Sequence, residues 1–176
     1  MIIKNARVLA AGKILKGVDV SIEGGRIKAV GAGLAGGEVI DARGALLAPG
    51  FVDLHIHGCA GDDSMDGGDA VARMAKWLPR TGVTAFLATT MCDSLEKTRQ
   101  ALEGVRRAQE ASEGAAVLGA HLEGPFINTA RKGAQPERYV KAPTLDAYAR
   151  ITEGYEPLPR ILTIAPEVDG AVELIR

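Results

Sequence analysis

The sequence predicts an α/β protein in two parts: a small N-terminal β-sandwich portion at residues 1–48, then the first four β/α units of a (β/α)8 barrel at 49–176. Two observations predict this class. Short runs rich in Val and Ile, separated by glycines, fill the first part. After Pro49 and Gly50, apolar strands alternate with stretches of helical periodicity, which is typical of parallel β/α units.

The first part contains a clear turn signal. Residues 18–22 and 26–30 are alternating runs rich in Val and Ile, and Gly24 and Gly25 lie between them. Glycine supplies the positive φ that a tight turn between antiparallel strands requires. We therefore expect a hairpin here, within a small antiparallel β unit.

The second part contains four mostly apolar runs, as expected for strands that are covered by helices. These predicted strands are residues 51–57, 84–89, 116–122 and 160–164. Apolar residues at helical spacing predict helices over 69–80 and 95–111, with Asp69 and Ser94 as their N-caps.

Residues 128–143 lack periodicity and carry Lys, Arg, Gly, Gln and Pro, so they are predicted to form a long loop after the third strand. Long ordered loops are often functional. Residues 170–176 predict the start of a helix. Four β/α units are half of an eight-stranded barrel, so we also expect open strand edges.

Composition restricts the function classes. The 176 residues carry 21 Lys and Arg against 22 Asp and Glu, a net charge of -1, which provides no basic surface for nucleic acid or acidic membranes. No apolar run approaches the ~20 residues of a spanning helix, and the N-terminus does not have the layout of a signal peptide. We expect a cytoplasmic protein with a small-molecule substrate and two reduced cysteines, Cys59 and Cys92.

Two of the three histidines lie one residue apart on the first predicted barrel strand. Side chains alternate faces along a strand, so His55 and His57 point the same way as Asp53, while Val52, Leu54 and Ile56 form the packing face. The pair lies near the strand's C-terminal end, where barrels of this kind place their active sites. Such a pair predicts a metal site, although ordinary hydrogen-bonded histidines in a strand remain an alternative.

A carboxylate at the end of the third strand strengthens the metal interpretation. Strand parity places His121 and Glu123 on one face, and Gly124 with Pro125 ends the strand. Glu123 together with the histidine pair would provide a mixed N and O ligand set suited to Zn or Fe, with one position open for water. Taken alone, Glu123 would more often be an exposed strand-end residue than a ligand. Cys59 is a weaker candidate as a soft ligand.

Several motifs resemble the amidohydrolase superfamily of metal-dependent hydrolases. Residues 49–58 (PGFVDLHIHG) look like the first barrel strand of that superfamily. Residues 121–128 (HLEGPFIN) with 132–135 (KGAQ), and residues 162–167 (LTIAPE), resemble one branch of it closely, the N-acetylglucosamine-6-phosphate deacetylases. The resemblance spans essentially the whole chain.

The resemblance implies a site and a reaction. Glu123, His55 and His57 would be metal ligands for one or two divalent ions, zinc or iron, and the histidine pair favours a second metal position. The metal would polarise the acetamide carbonyl of an amino sugar phosphate and activate water for its hydrolysis. The loop after Glu123 would contact the sugar through Ala134, with Gly133 and Gln135 beside it. The complete enzyme would be a homodimer.

The resemblance also implies residues that this sequence does not supply. In the family a catalytic aspartate lies on the eighth strand and two further histidines on the fifth and sixth, whereas only four strands are predicted here. We therefore expect residues 1–176 alone to lack deacetylase activity. Two alternatives remain: a cyclic amidase, which often requires a carboxylated lysine on the fourth strand, and a non-catalytic binding or assembly module.

Overall fold

The computed structural model describes all residues from Met1 to Arg176. The chain divides into two compact units, Met1–Pro49 and Gly50–Arg176. No helix in the chain is long and apolar enough to cross a membrane. The predicted mixed α/β class is confirmed, since the first unit is built from strands and the second alternates strands with helices.

The first unit forms a single five-stranded sheet. Its strands are β1 (Ile2–Ala10), β2 (Lys13–Glu23), β3 (Arg26–Gly31), β4 (Val39–Asp41) and β5 (Leu46–Leu47). The order is β3-β2-β1-β4, and β5 pairs with a later part of β1 than β4 does. Ala6, Val8 and Val20 form the small core of this unit.

The predicted hairpin is confirmed between β2 and β3. These strands are antiparallel, and Glu23 pairs with Arg26 across Gly24 and Gly25, which have φ of 55° and 72°. The prediction of a purely antiparallel unit is wrong, because β4 and β5 run parallel to β1. Parallel pairing joins residues distant in sequence, so no local turn signals it. The predicted β-sandwich stays a prediction, because a sandwich requires two packed sheets and residues 1–49 form one sheet.

The second unit contains a four-stranded parallel sheet. Its strands are β6 (Phe51–Ile56), β9 (Val83–Thr89), β10 (Ala116–Glu123) and β11 (Pro159–Thr163), in the order β11-β10-β9-β6. A short hairpin of β7 (Gly58–Cys59) and β8 (Asp62–Asp63) follows β6. The helices are α1 (Ala70–Trp77), α2 (Leu95–Ala111), α3 (Leu145–Thr152) and α4 (Ala171–Ile175). The predicted loop at 128–143 contains two short 3-10 helices, Thr129–Arg131 and Glu137–Tyr139.

The helix predictions are confirmed in position and differ in detail. Helix α2 has the predicted bounds, and the Ser94 side chain caps it by accepting a hydrogen bond from the Lys97 amide at 3.2 Å. Helix α1 is shorter than predicted, because the chain continues as a 3-10 helix over Leu78–Thr81, which contains a proline. Asp69 is the N-cap residue of α1, as predicted, but its side chain makes no capping hydrogen bond.

A single hydrophobic core fills the second unit between helices and sheet. It includes fully buried side chains from α1, α2 and the two central strands, among them Met74, Phe86, Leu102, Val105 and Leu122. The predicted packing face of β6 is only partly confirmed. Ile56 packs against the core, whereas Val52 and Leu54 are 55% and 51% exposed. The reason is that β6 pairs with β9 alone and forms an edge of the sheet.

Candidate metal centre

Two strand ends bring three potential ligands together. His55 lies near the end of β6, His57 follows that strand directly, and Glu123 is the last residue of β10. One donor atom from each of these side chains lies within 4.8 Å of the other two. His57 Nε2 and Glu123 Oε2 are 3.0 Å apart, and the two imidazole centroids are separated by 4.9 Å. The structure thus brings together the three side chains that the sequence predicted as ligands, His55, His57 and Glu123.

The backbone of β6 is irregular where it carries these histidines. Asp53 pairs with Phe86 and Ile56 pairs with Ala88 on β9, so two residues of β6, Leu54 and His55, lie opposite one residue of β9. This is the arrangement of a β-bulge, which re-aims side chains and frees backbone groups from the ladder. The Asp53 carboxylate accepts a hydrogen bond from the His55 amide at 3.1 Å. The bulge therefore sets the direction of His55.

Thr89 fixes the segment that follows the bulge. This fully buried residue at the end of β9 accepts a hydrogen bond from the Ile56 amide through its side-chain oxygen, at 3.0 Å. Its carbonyl oxygen lies 3.2 Å from His57 Nδ1 and also accepts from the Ser64 hydroxyl. Because a carbonyl only accepts, His57 carries its proton on Nδ1. His57 Nε2 is then the ring nitrogen that is available to a metal ion, and it faces Glu123.

His121 belongs to the site but not to the ligand set. Its Nδ1 donates to the carbonyl of Leu54, within the bulge, at 3.1 Å, and its Nε2 accepts from the Thr163 hydroxyl at 2.8 Å. Burial is the largest influence on this residue and lowers the pKa of His121, which favours the neutral ring. Both ring nitrogens are occupied by protein groups, so His121 links strands β6, β10 and β11 instead.

The loop after β10 contributes one buried side chain. Gln135 is only 6% exposed, and its Nε2 donates to Glu123 Oε2 at 3.0 Å. Its Oε1 accepts from the amide of Cys92 at 2.7 Å. Gly133 and Ala134, which the resemblance places near the sugar, lie in an exposed turn immediately before Gln135. The common expectation that a loop glutamine is exposed does not hold here.

Neither cysteine is a member of the ligand group. Both thiols are free. Cys59 packs against the core, and burial raises the pKa of its thiol. Burial, with a smaller contribution from the nearby Glu123 carboxylate, raises the pKa of the Cys92 thiol to about 11. Both thiols are therefore protonated and unreactive at neutral pH.

The three side chains fit a divalent metal ion of the zinc or iron type. Two imidazoles and a carboxylate are a donor set that such ions accept. Ligand atoms about 2.0–2.2 Å from a tetrahedral zinc lie roughly 3.4 Å from one another. His57 Nε2 and Glu123 Oε2 are 3.0 Å apart, and all three donor atoms lie within 4.8 Å of one another. The Nδ1 contact of His57 supplies the outer hydrogen bond that metal-binding histidines normally make.

Sequence reasoning missed the residues that support this centre. Thr89, Thr163 and Ser64 act through hydroxyl groups that follow no recognisable motif spacing, and they become neighbours only when the strands pair. No residue pattern in the sequence indicates the bulge in β6 either. The usable signal was the threonine at the C-terminal end of an otherwise apolar strand, at the level where barrel sites form.

Comparison with known proteins decides the family. A family model described as "Amidohydrolase family" matches residues 46–171. The chain belongs to the amidohydrolase family. Amidohydrolases are metal-dependent, which agrees with a cluster of two histidines and a glutamate that could bind a metal ion. The amidohydrolase resemblance drawn from the sequence motifs is confirmed.

Similar amidohydrolases carry a shared name. The chain is 34% identical over its whole length to an N-acetylglucosamine-6-phosphate deacetylase of Bacillus subtilis, of which it covers 47%. It is 36% identical over 98% of its length to the human protein of that name, of which it covers 44%. The crystal structure of an N-acetyl-D-glucosamine-6-phosphate deacetylase from Mycobacterium smegmatis superposes with a TM-score of 0.83 at 32% identity, covering 99% of this chain and 50% of that one. The chain thus spans about half the length of the relatives it matches.

Proposed function

We propose that this chain supplies part of the active site of a metal-dependent deacetylase, which hydrolyses N-acetylglucosamine 6-phosphate to glucosamine 6-phosphate and acetate. The observation that carries the proposal is the meeting of His55, His57 and Glu123 at the ends of β6 and β10 in an amidohydrolase chain. The names of the similar proteins supply the substrate.

The three side chains would hold the metal ion. His57 offers Nε2 because its Nδ1 proton is committed to the Thr89 carbonyl, and Glu123 offers a carboxylate oxygen 3.0 Å from that nitrogen. The cluster suits zinc or iron. Two histidines on one strand support a second metal position in addition to the first.

A divalent ion held by these residues would lower the pKa of bound water toward ~7 and polarise an amide carbonyl. The residues of this chain prepare the place for that chemistry. Thr89 and His121 hold the backbone around His55 and His57, and His121 stays neutral, which adds no positive charge beside the ion. Buried Leu122 and Phe126 exclude water from the inner side of the strand end that carries Glu123.

The substrate contacts would come from the loop after β10. Gly133 and Ala134 lie in its exposed turn, where backbone groups are accessible to a sugar. Gln135 is the third proposed contact, and its amide already bonds to Glu123 and Cys92. We assign no general base within the chain, because the family resemblance places that aspartate on an eighth strand. Residues 1–176 alone are therefore expected to leave the acetamide intact.

Two other functions receive less support. Cyclic amidases of this superfamily often use a carboxylated lysine on the fourth strand, and β11 (Pro159–Thr163) contains no lysine. A non-catalytic module would not need to orient ligands. In this chain, however, hydrogen bonds from neighbouring residues direct His57 and Glu123 toward each other.

A fusion protein tests the deacetylase proposal. Residues 1–176 are joined to the part of the Bacillus subtilis relative that lies beyond the matched region, and acetate release from N-acetylglucosamine 6-phosphate is measured. We expect turnover by the fusion. We also expect Glu123→Gln to reduce it by at least about 100-fold, since even outer-shell partners of metal ligands are worth 10–100-fold.

The matched control is Glu110→Gln on the exposed face of α2, which should leave turnover unchanged. A folded, metal-loaded fusion that releases no acetate contradicts the proposal. Hydrolysis of dihydroorotate or a hydantoin by that fusion would instead favour the cyclic amidase.

A further inference from the structure

Gln135 has contacts that its place in an exposed loop does not require. The two residues before it are exposed, yet its own side chain is 6% exposed and reaches the ends of two strands. It contacts the Glu123 carboxylate at the end of β10 and the Cys92 amide in the segment after β9. A side chain that contributed only to loop solubility would remain in water.

The orientation of the Gln135 amide follows from its partners. The Cys92 amide is a donor, so only the glutamine oxygen can face it, at 2.7 Å. The NH2 group must then face Glu123, which as a carboxylate can only accept, at 3.0 Å. Its remaining hydrogen points toward Met91 Sδ at 3.5 Å. Each partner therefore independently selects the same amide orientation.

Gln135 contacts the same Glu123 oxygen that faces His57 in the proposed metal centre. Glu123 Oε2 accepts from Gln135 and also lies 3.0 Å from His57 Nε2. A glutamate carboxylate otherwise rotates about a broad terminal torsion. The hydrogen bond from Gln135 restricts this rotation and keeps Oε2 facing His57 Nε2 before any ion arrives.

We propose that Gln135 is a positioning residue for the metal ligand Glu123, and that it acts by holding the carboxylate while anchoring its loop to the segment after β9. This inference rests on the proposed metal centre. It also explains how Gly133 and Ala134 are kept beside the site, because the backbone amide of Gln135 closes their turn onto the Lys132 carbonyl at 3.1 Å.

The test measures metal affinity and does not depend on turnover. Zn²⁺ binding to the 176-residue chain is measured by competition with a chromophoric chelator. Gln135→Met keeps the length of the side chain and removes both hydrogen bonds. We expect its dissociation constant for Zn²⁺ to rise about 10–100-fold, the usual effect of losing an outer-shell partner.

Gln109→Met is the matched control. Gln109 also makes a side-chain hydrogen bond, from Nε2 to the Val117 carbonyl at 3.0 Å at the other end of β10. Thermal unfolding is recorded for both variants. A purely structural role predicts similar losses of stability and unchanged Zn²⁺ affinity in both, and that result would overturn the proposal. If Gln135→Met does not fold, Gln135→Asn, one methylene too short for both partners, should show the same weakening.

Glu123→Gln separates the two levels of inference. In one outcome the unsubstituted chain binds Zn²⁺, Glu123→Gln lowers the Zn²⁺ affinity and Gln135→Met leaves it unchanged. The metal centre then stands and the positioning role fails. If the unsubstituted chain and Glu123→Gln bind equally, the metal centre itself fails and the positioning role fails with it. Weakening by both substitutions, with Gln109→Met unchanged, supports the positioning role.

Discussion

The two strands that carry the proposed ligands differ in how they are held. Strand β10 lies between β9 and β11, and its second half is almost completely buried, with Leu122 only 1% exposed. Strand β6 is an edge strand, and Phe51, Val52 and Leu54 are each more than half exposed. Yet both deliver ligands to the same place. Packing fixes Glu123, whereas the histidines depend on hydrogen bonds.

Those hydrogen bonds compensate for the weak packing of the edge strand. The bulge at Leu54 and His55 interrupts the ladder with β9, and side chains take over the released backbone groups. The Thr89 hydroxyl accepts from the Ile56 amide, and His121 donates to the Leu54 carbonyl. In this chain, polar side chains of β9 and β10 thus hold the part of β6 that carries the histidines.

The largest expected effect is a difference in the free energy of unfolding between leucine-to-alanine substitutions on β10 and on β6. Leu122→Ala on β10 should lower the free energy of unfolding by about 2–5 kcal/mol, because it leaves a cavity in a close-packed core. Leu54→Ala on β6 should cost less than about 1 kcal/mol, because half of that side chain is already in water. Urea denaturation of the two variants measures both values. Equal losses would show that β6 is packed as firmly as β10.

The second prediction removes a hydrogen bond that holds β6. Thr89→Val keeps the shape of the side chain but leaves the Ile56 amide without its acceptor, which should cost about 1–3 kcal/mol. Thr84→Val, on the same strand, is the control. Its hydroxyl is exposed and makes only a 3.4 Å contact with the Phe51 carbonyl, so the change should be within about 0.5 kcal/mol.

These unfolding energies are obtained by chemical denaturation, and the 15N-1H spectrum of each variant locates the change. We expect Thr89→Val to shift the resonances of Ile56 and His57 most. Should Thr84→Val cost as much as Thr89→Val, the hydroxyl of Thr89 would have no special part in holding the histidine strand.

The same contrast explains what the sequence could predict. Alternation along two strands placed His55, His57 and Glu123 at the carboxyl ends of parallel barrel strands, because side-chain parity is a local property. The bulge and the roles of Thr89 and Thr163 arise from pairing between segments that are 33 and 42 residues apart, which local patterns do not encode. The parallel strands β4 and β5 escaped prediction for the same reason.

The smallest expected effect concerns the proton balance of His121, which joins the two strands. Burial lowers the pKa of His121 below its ordinary value of 6.5, so the unfolded chain binds a proton more readily than the folded chain does. The stability that this neutral histidine contributes is complete above its unfolded pKa, near 6.5, and is lost as the pH falls from there through the lower pKa of the folded state. The metal-free protein should therefore unfold more easily in weak acid.

The variant His121→Gln isolates this effect. Glutamine can donate to the Leu54 carbonyl and accept from the Thr163 hydroxyl but does not titrate in this range, while His55 and His57 remain in both proteins. Urea denaturation across weakly acidic and neutral pH should give a shallower loss of stability in the variant than in the unsubstituted chain. Parallel pH profiles would mean that His121 is equally easy to protonate in both states. The polar link between the central and edge strands would then tolerate a charge, and the hydrogen bond to Leu54 would not require a neutral ring.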